Sequence, residues 1–141
     1  MTDYQALMNI TQDKLVKALS HLEYSYKIII HLPEEIENLN EETLAAWESF
    51  SARFSRVVDL FLSRYIRACV LVDDPGFSGT FRDFINQAEK LKIIDDARKW
   101  MEIRALRNIT AHEYNDKDLT EFFVQLKKSC PTLLAIKKLL S

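Results

Sequence analysis

The sequence contains few of the residues that break helices. Its 141 residues include two glycines and three prolines. Because many short strands joined by tight turns require more of both, this scarcity argues against an all-β fold and favours a few long helices. A chain of this length can bury one hydrophobic core, so we predict a single domain over residues 1–141.

Cysteine is equally scarce. Cys69 and Cys130 have neither the C-x-x-C spacing nor a nearby histidine that a zinc site would need, and we predict no metal and no cofactor. Both cysteines lie in apolar helical patterns, where a buried free thiol is the ordinary state. Free thiols fit a reducing compartment, so we expect a cytoplasmic protein.

Long apolar runs and a strong charge imbalance are also missing. No stretch approaches the roughly 20 apolar residues of a membrane-spanning helix, and the first residues do not resemble a signal peptide, so we expect no membrane partner. The net charge of -2 produces no general field that would attract nucleic acid. Any RNA site must therefore be a local basic patch.

The sequence does contain several long helical patterns. Apolar residues recur at spacings of three and four, and polar turns separate the periodic segments. We predict an all-α, antiparallel up-and-down helical bundle with four main helices and one short one. The expected helices cover about 3–31, 40–72, 81–91, a segment starting near 97, and 118–140, where Pro131 should kink the last helix.

Residues 107–114 carry the most distinctive chemistry. They place Arg107, Asn108, His112 and Tyr114 within eight positions. An arginine can bind a phosphate with two parallel hydrogen bonds, and a histidine can transfer protons near neutral pH. Together they are a minimal set for cleaving a phosphodiester without a metal. A simpler alternative is that Arg107 and His112 interact with the dipole at a helix C-terminus.

A helical wheel predicts how this segment faces the rest of the bundle. It directs Ile103 and Ile109, with Leu106 near them, toward the core. It places Trp100 and Arg107 on the opposite, outward side. The outward set also includes Arg104, Asn108 and Ala111.

One straight helix does not direct Arg107 and His112 to the same phosphate. Five residues separate them, which is about 140° around an α-helix. Either the helix ends or bends near Ala111, or a second copy of the motif completes the site. A large apolar Trp100 on an outward face favours the second alternative, a symmetric dimer.

Four arginines of the second helix form a further candidate site. A helical wheel places them within about 80° of one another. Such a stripe could follow a nucleic-acid backbone or bind an acidic partner. An equally weighted alternative is a solvated face that pairs with local acids such as Asp59 and Glu48. The four residues are Arg53, Arg56, Arg64 and Arg67.

The motif resembles that of a known family. Arg107, four residues, His112, one residue and Tyr114 match the Arg-x4-His-x-Tyr signature of HEPN domains. The chain is most similar to the branch that contains HepT-type toxins and nucleotidyltransferase substrate-binding proteins. The likeness covers about residues 45–120, including Arg53-Phe54 and the stretch from Phe81 to Met101.

This resemblance implies a homodimeric helical bundle with a composite cleft at the dimer interface. It further implies a metal-independent endoribonuclease that acts on tRNA or mRNA. The implied partner is a cognate minimal nucleotidyltransferase antitoxin, which transfers AMP to the motif tyrosine, here Tyr114. Two alternatives remain: a non-catalytic subunit that binds the nucleotidyltransferase or its substrate, and a structural helical adaptor.

The resemblance also implies a role for each motif residue. His112 would be the general acid and base, and Arg107 would hold the scissile phosphate. Asn108 would bind the phosphate or orient His112, and Arg104 would contact a neighbouring phosphate. Tyr114 would lie at the edge of the cleft, where an added AMP would bring bulk and negative charge and block RNA entry.

Overall fold

Every regular element that the structure describes is helical, which confirms the all-α class. The computed structural model describes residues 2–35, 40–109 and 116–140. A π-helical stretch, Asp59–Tyr65, joins two of the helices without a break and is called the π segment below. The α-helices are α1 (Tyr4–Ile29), α2 (Glu41–Val58), α3 (Ile66–Asp73), α4 (Phe81–Lys90), α5 (Ala97–Arg107), α6 (Asp116–Leu134) and α7 (Ile136–Leu139).

Side-chain caps determine where several helices begin. Such a cap accepts a hydrogen bond from a backbone N–H of the first turn that would otherwise lack a partner. At α4 the cap is reciprocal, because Thr80 and Asp83 each accept from the backbone N–H of the other. The capping residues of α1, α2, α4 and α5 are Asp3, Asn40, Thr80 and Asp96.

The core is rich in aromatic side chains from α2. Trp47 and Phe50 are fully buried and meet edge to face, and Trp47 also stacks on Phe123 of α6 at 5.1 Å. The indole nitrogen of Trp47 donates a hydrogen bond to the carbonyl of Pro33, so its polar atom is satisfied. These contacts fix α2 between α1 and α6.

The π segment interrupts a helix that the sequence predicted to be regular. At its end the N–H of Ile66 bonds to the carbonyl of Phe61, five residues earlier. Such i→i+5 bonding is uncommon and often occurs at functional sites. It also changes the angle between successive side chains, so a wheel drawn for an ideal α-helix is no longer valid across it. The segment begins at Asp59.

The prediction that Trp100 faces outward is wrong. Its side chain is only 3% exposed and its ring lies 4.8 Å from that of Phe61 in the π segment. Ile109, predicted to face the core, is instead 38% exposed. Ile103 is buried as predicted, and Ile109 lies beyond the end of α5. Burial of the large indole removes much apolar surface from water, which explains why Trp100 also faces the core. Trp100 therefore gives no support for a dimer interface.

The C-terminal helix contains Pro131, where the sequence predicted a kink, and is interrupted four residues later. Helix α6 continues through Pro131 to Leu134, and the break before α7 falls at Ala135. Cys130 is buried and free, and burial raises the pKa of its thiol to about 12. Within the described part of the chain, no helix is both long and apolar enough to cross a bilayer.

Candidate functional site

The structure locates three of the five motif residues predicted for the site. Helix α5 ends at Arg107, and the backbone N–H of Asn108 closes its last turn on the carbonyl of Arg104. His112 and Tyr114 lie outside the described residues. Because α5 ends at Arg107, the angle expected on one continuous helix does not apply to the pair of Arg107 and His112.

Arg107 forms a two-pronged ion pair with Asp59. Its Nε donates to one carboxylate oxygen at 2.7 Å and its Nη2 donates to the other at 2.8 Å. The two side chains are 34% and 50% exposed. The hydrogen bonds that Asp59 accepts raise the pKa of Arg107 above its usual value. The guanidinium is thus permanently charged and held in one orientation.

Asp59 occupies only one edge of the guanidinium. Of its five N–H groups, the ion pair uses two, and no described residue bonds to the Nη1 side, which we call the free edge and which could bind a second anion. An ion pair this exposed adds only about 0.2–1 kcal/mol to folding stability. Its main physical consequence is therefore the fixed direction of the free edge of Arg107.

Arg104 and Asn108 face a different hollow from Arg107. They line a groove of about 630 Å³ between α4 and α5. The guanidinium of Arg104 lies 3.9 Å from the ring centre of Phe81, a cation–π contact. Glu89 and Glu102 line the same groove, so its positive charge is offset. Arg107 instead points toward the π segment.

Two of the four arginines from the predicted stripe are used in packing. Arg53 donates to the hydroxyl of Ser25 at 2.7 Å and to the carbonyl of His21 at 3.3 Å, which ties α2 to α1. The guanidinium of Arg67 lies 4.7 Å from the ring centre of Phe84 in α4. Both contacts fix neighbouring helices.

The other two arginines lie together beside α1. Arg56 and Arg64 line a groove of about 460 Å³ that we call the basic groove. The π segment begins between these two positions and alters the angular spacing that the wheel assumed. The remaining lining residues of the basic groove are Lys14, Lys17, Ala18, His21, Asp59 and Leu60.

Asp59 is the site residue that sequence reasoning assigned differently. The sequence predicts it only as a local partner for arginines of its own helix. Its actual partner, Arg107, is 48 positions away, and no short-range spacing signals that contact. The one signal available is a carboxylate within an otherwise apolar run, residues 57–62.

Metal-binding side chains are not grouped in the described ranges. Across residues 2–35, 40–109 and 116–140, no three His, Cys, Asp or Glu side chains are close enough together to hold an ion. The charged groups that the structure brings together near the motif are Arg107 and Asp59, next to the cations of the basic groove.

Comparison with known proteins agrees with this fold and motif. Residues 12–140 match the family model described as "Nucleotidyltransferase substrate binding protein like". The chain belongs to this HepT-like HEPN family, which confirms the resemblance carried by the motif.

One curated relative is the probable ribonuclease HepT of Haemophilus influenzae. The two chains are 35% identical over 54 residues. This stretch covers 38% of the present chain and 36% of the relative, so only about a third of the relative's length is matched. No solved structure matches the chain.

Proposed function

We propose that this protein is a metal-independent endoribonuclease, the toxin of a HEPN and nucleotidyltransferase pair. The observation that carries the proposal is Arg107, held by Asp59 with one edge free, five residues before a histidine. A fixed, permanently charged guanidinium is suited to stabilise the charge that develops on a phosphate during cleavage. The name of the relative, probable ribonuclease HepT, agrees with this chemistry.

The proposed reaction is attack by the ribose 2′-oxygen on the adjacent phosphorus. A base removes the 2′-OH proton, the bond from phosphorus to the 5′-oxygen breaks, and an acid protonates the leaving oxygen. His112 is the candidate for both proton transfers, which two copies could divide between them. Arg107 binds the non-bridging oxygens, where negative charge increases in the transition state.

A homodimer would supply the second histidine. An apolar hollow of about 370 Å³ beside the motif is lined by Leu106, Ile109 and Val124, among others. Exposed apolar surface of this kind is often covered by another chain, and a two-fold dimer covers one patch with the same patch. In such a dimer, Arg107 and His112 of both copies would face one cleft.

The proposed partner is a minimal nucleotidyltransferase that acts as antitoxin by transferring AMP to Tyr114. The adenylyl phosphate would place negative charge where RNA phosphates must bind, and the nucleoside would occupy space in the cleft. Mass spectrometry of the protein co-expressed with its neighbouring nucleotidyltransferase tests this step. A peptide that stays unmodified at Tyr114 would contradict it.

A second candidate is a non-catalytic subunit that binds a nucleotidyltransferase or its substrate. The description of the matched family favours it. This alternative requires the partner and the arginines, but it does not require proton transfer by His112. Replacement of His112 therefore separates the two candidates.

The experiment compares cells that express the wild type, Arg107→Ala and His112→Ala, with growth and RNA integrity followed over time. Lys128→Ala is the control, because Lys128 is an exposed cation of α6 outside both the basic groove and the groove of Arg104. We expect growth arrest and RNA fragments from the wild type and the control only. A harmless wild type that leaves RNA intact would exclude the nuclease and favour the binding subunit.

A further inference from the structure

The basic groove concentrates positive charge in a chain that is slightly acidic overall. Lys14, Lys17 and His21 recur at spacings of three and four and so share one face of α1. Arg56 and Arg64 face them across the groove. The chain has a net charge of -2, yet four permanently charged cations surround this one hollow.

Acidic side chains of the described residues do not neutralise these cations. Lys14, Lys17, Arg56 and Arg64 are exposed, and none forms a salt bridge within the described ranges. Among the described residues, Asp59 is the only carboxylate that lines the groove, and both of its oxygens are bonded to Arg107. Neighbouring like charges repel one another and attract an anion.

We propose that the basic groove binds backbone phosphates of the RNA strand beside the one that is cleaved. The proposal rests on the proposed function, which supplies the RNA and places its scissile phosphate at Arg107. Asp59 connects the two regions, since it lines the groove and lies 2.7 Å from the guanidinium of Arg107. A strand lying in the groove would therefore pass beside the ion pair of Arg107 and Asp59.

The lining of the groove favours backbone recognition over base recognition. No Phe, Tyr or Trp of the part of the chain that the structure describes lines it, and these are the side chains on which single-stranded bases commonly stack. Lysine and arginine contacts to phosphates carry no sequence information and weaken as salt increases. From Lys14 to His21 the helix rises roughly 10 Å, which leaves room for more than one phosphate.

The test measures binding of a fluorescein-labelled single-stranded RNA by anisotropy. All proteins carry His112→Ala, so that the RNA is not cleaved during the titration. The double variant Lys14→Ala/Lys17→Ala is compared with Lys128→Ala/Lys137→Ala, which removes the same charge at exposed positions outside the groove. Circular dichroism confirms that each variant keeps its helices.

We expect the groove variant to bind roughly tenfold more weakly at low salt. The slope of log affinity against log salt should become shallower by about 1.4, because each lost contact to a single strand contributes about 0.7. The control variant should match the protein that carries only His112→Ala in both affinity and slope. Equal affinity and equal slope for the two double variants would overturn the proposal.

Parallel measurements identify other ligands and separate this proposal from the nuclease. If the groove variant loses affinity for ATP or for the nucleotidyltransferase but binds RNA normally, the groove belongs to that ligand and the proposal fails. If the wild type cleaves RNA but the groove variant binds RNA with unchanged affinity, only the proposal for the groove is rejected. If the groove variant binds RNA more weakly but the wild type does not cleave RNA, only the proposed nuclease activity is rejected.

Discussion

Two adjoining regions of this molecule use basic side chains in opposite ways. Where α5 meets the π segment, the charge of Arg107 is balanced by Asp59 in a two-pronged ion pair. In the same region the ring of Trp100 packs on that of Phe61. In the basic groove, cations such as Lys14 and Arg56 are exposed and have no acidic partner within the described ranges. We call the first region the π–α5 junction.

This difference in pairing fits the role that we propose for each region. A group that stabilises charge on one reacting phosphate must be held to a fraction of an ångström, so a partner that fixes its orientation is an advantage. Attraction of a flexible phosphate chain requires charge and tolerates mobile side chains. Substitutions at the π–α5 junction should therefore change rates or stability, and those in the basic groove should change affinity.

The largest expected effect is that of Trp100→Ala on folding. Removal of this buried indole should lower the free energy of unfolding by about 3–5 kcal/mol, because it leaves a cavity between α5 and Phe61. Urea denaturation measures the change, and Trp100→Phe should recover part of it. If Trp100→Ala instead separated an oligomer without destabilising the fold, Trp100 would belong to an interface and the described packing would be wrong.

The next largest effect is that of Arg107→Ala on cleavage. We expect the rate to fall by about 10²–10³, the usual loss when one charge-stabilising donor is removed from a transition state. RNA affinity should change little, because the cations of the basic groove remain. Single-turnover cleavage and anisotropy measure the two quantities separately. A variant that binds RNA much more weakly but cleaves bound RNA at the normal rate would assign Arg107 to binding.

A smaller effect is expected for Asp59→Asn, which keeps the size of the side chain and removes its charge. Arg107 would lose the partner that orients it, and we expect kcat to fall about tenfold. RNA affinity should stay the same or rise, since a negative charge next to the groove disappears. Full activity in Asp59→Asn would show that Arg107 needs no positioning partner.

The smallest effects separate two arginines of the predicted stripe. Arg56→Ala should weaken RNA binding roughly threefold without changing stability, because Arg56 lines the groove. Arg67→Ala should lower stability by about 0.5–1 kcal/mol without changing RNA binding, because Arg67 packs on Phe84. If both variants weakened RNA binding equally, the four arginines would act as one binding surface, as the helical wheel predicted.

Local signals in the sequence were enough to predict the helical class and much of the helix pattern. The polar caps Asn40 and Thr80 are visible as residue types at the right distance from an apolar repeat. The pairing of Arg107 with a histidine and a tyrosine at fixed spacing predicted the family, which the comparison confirms. These features depend on neighbours within one or two helical turns.

Features that depend on contacts between distant residues were not predictable in this way. The contact of Arg107 with Asp59 crosses 48 positions, and the π segment leaves no spacing signal in the sequence. The wheel for α5 predicted the buried position of Ile103 but not that of Trp100, because it gave no extra weight to the large apolar area of the indole ring. Three-dimensional packing alone reveals that only Arg56 and Arg64 of the stripe share a groove.

The most direct test of the central claim, that Asp59 acts by orienting Arg107, is a double-mutant cycle on the cleavage rate. Asp59→Asn is made in the wild type and in Arg107→Ala, and single-turnover rates are measured for all four proteins. We predict that Asp59→Asn slows the wild type about tenfold and has no further effect once Arg107 is gone. An equal loss in both backgrounds, or no cleavage by the wild type, would contradict the claim.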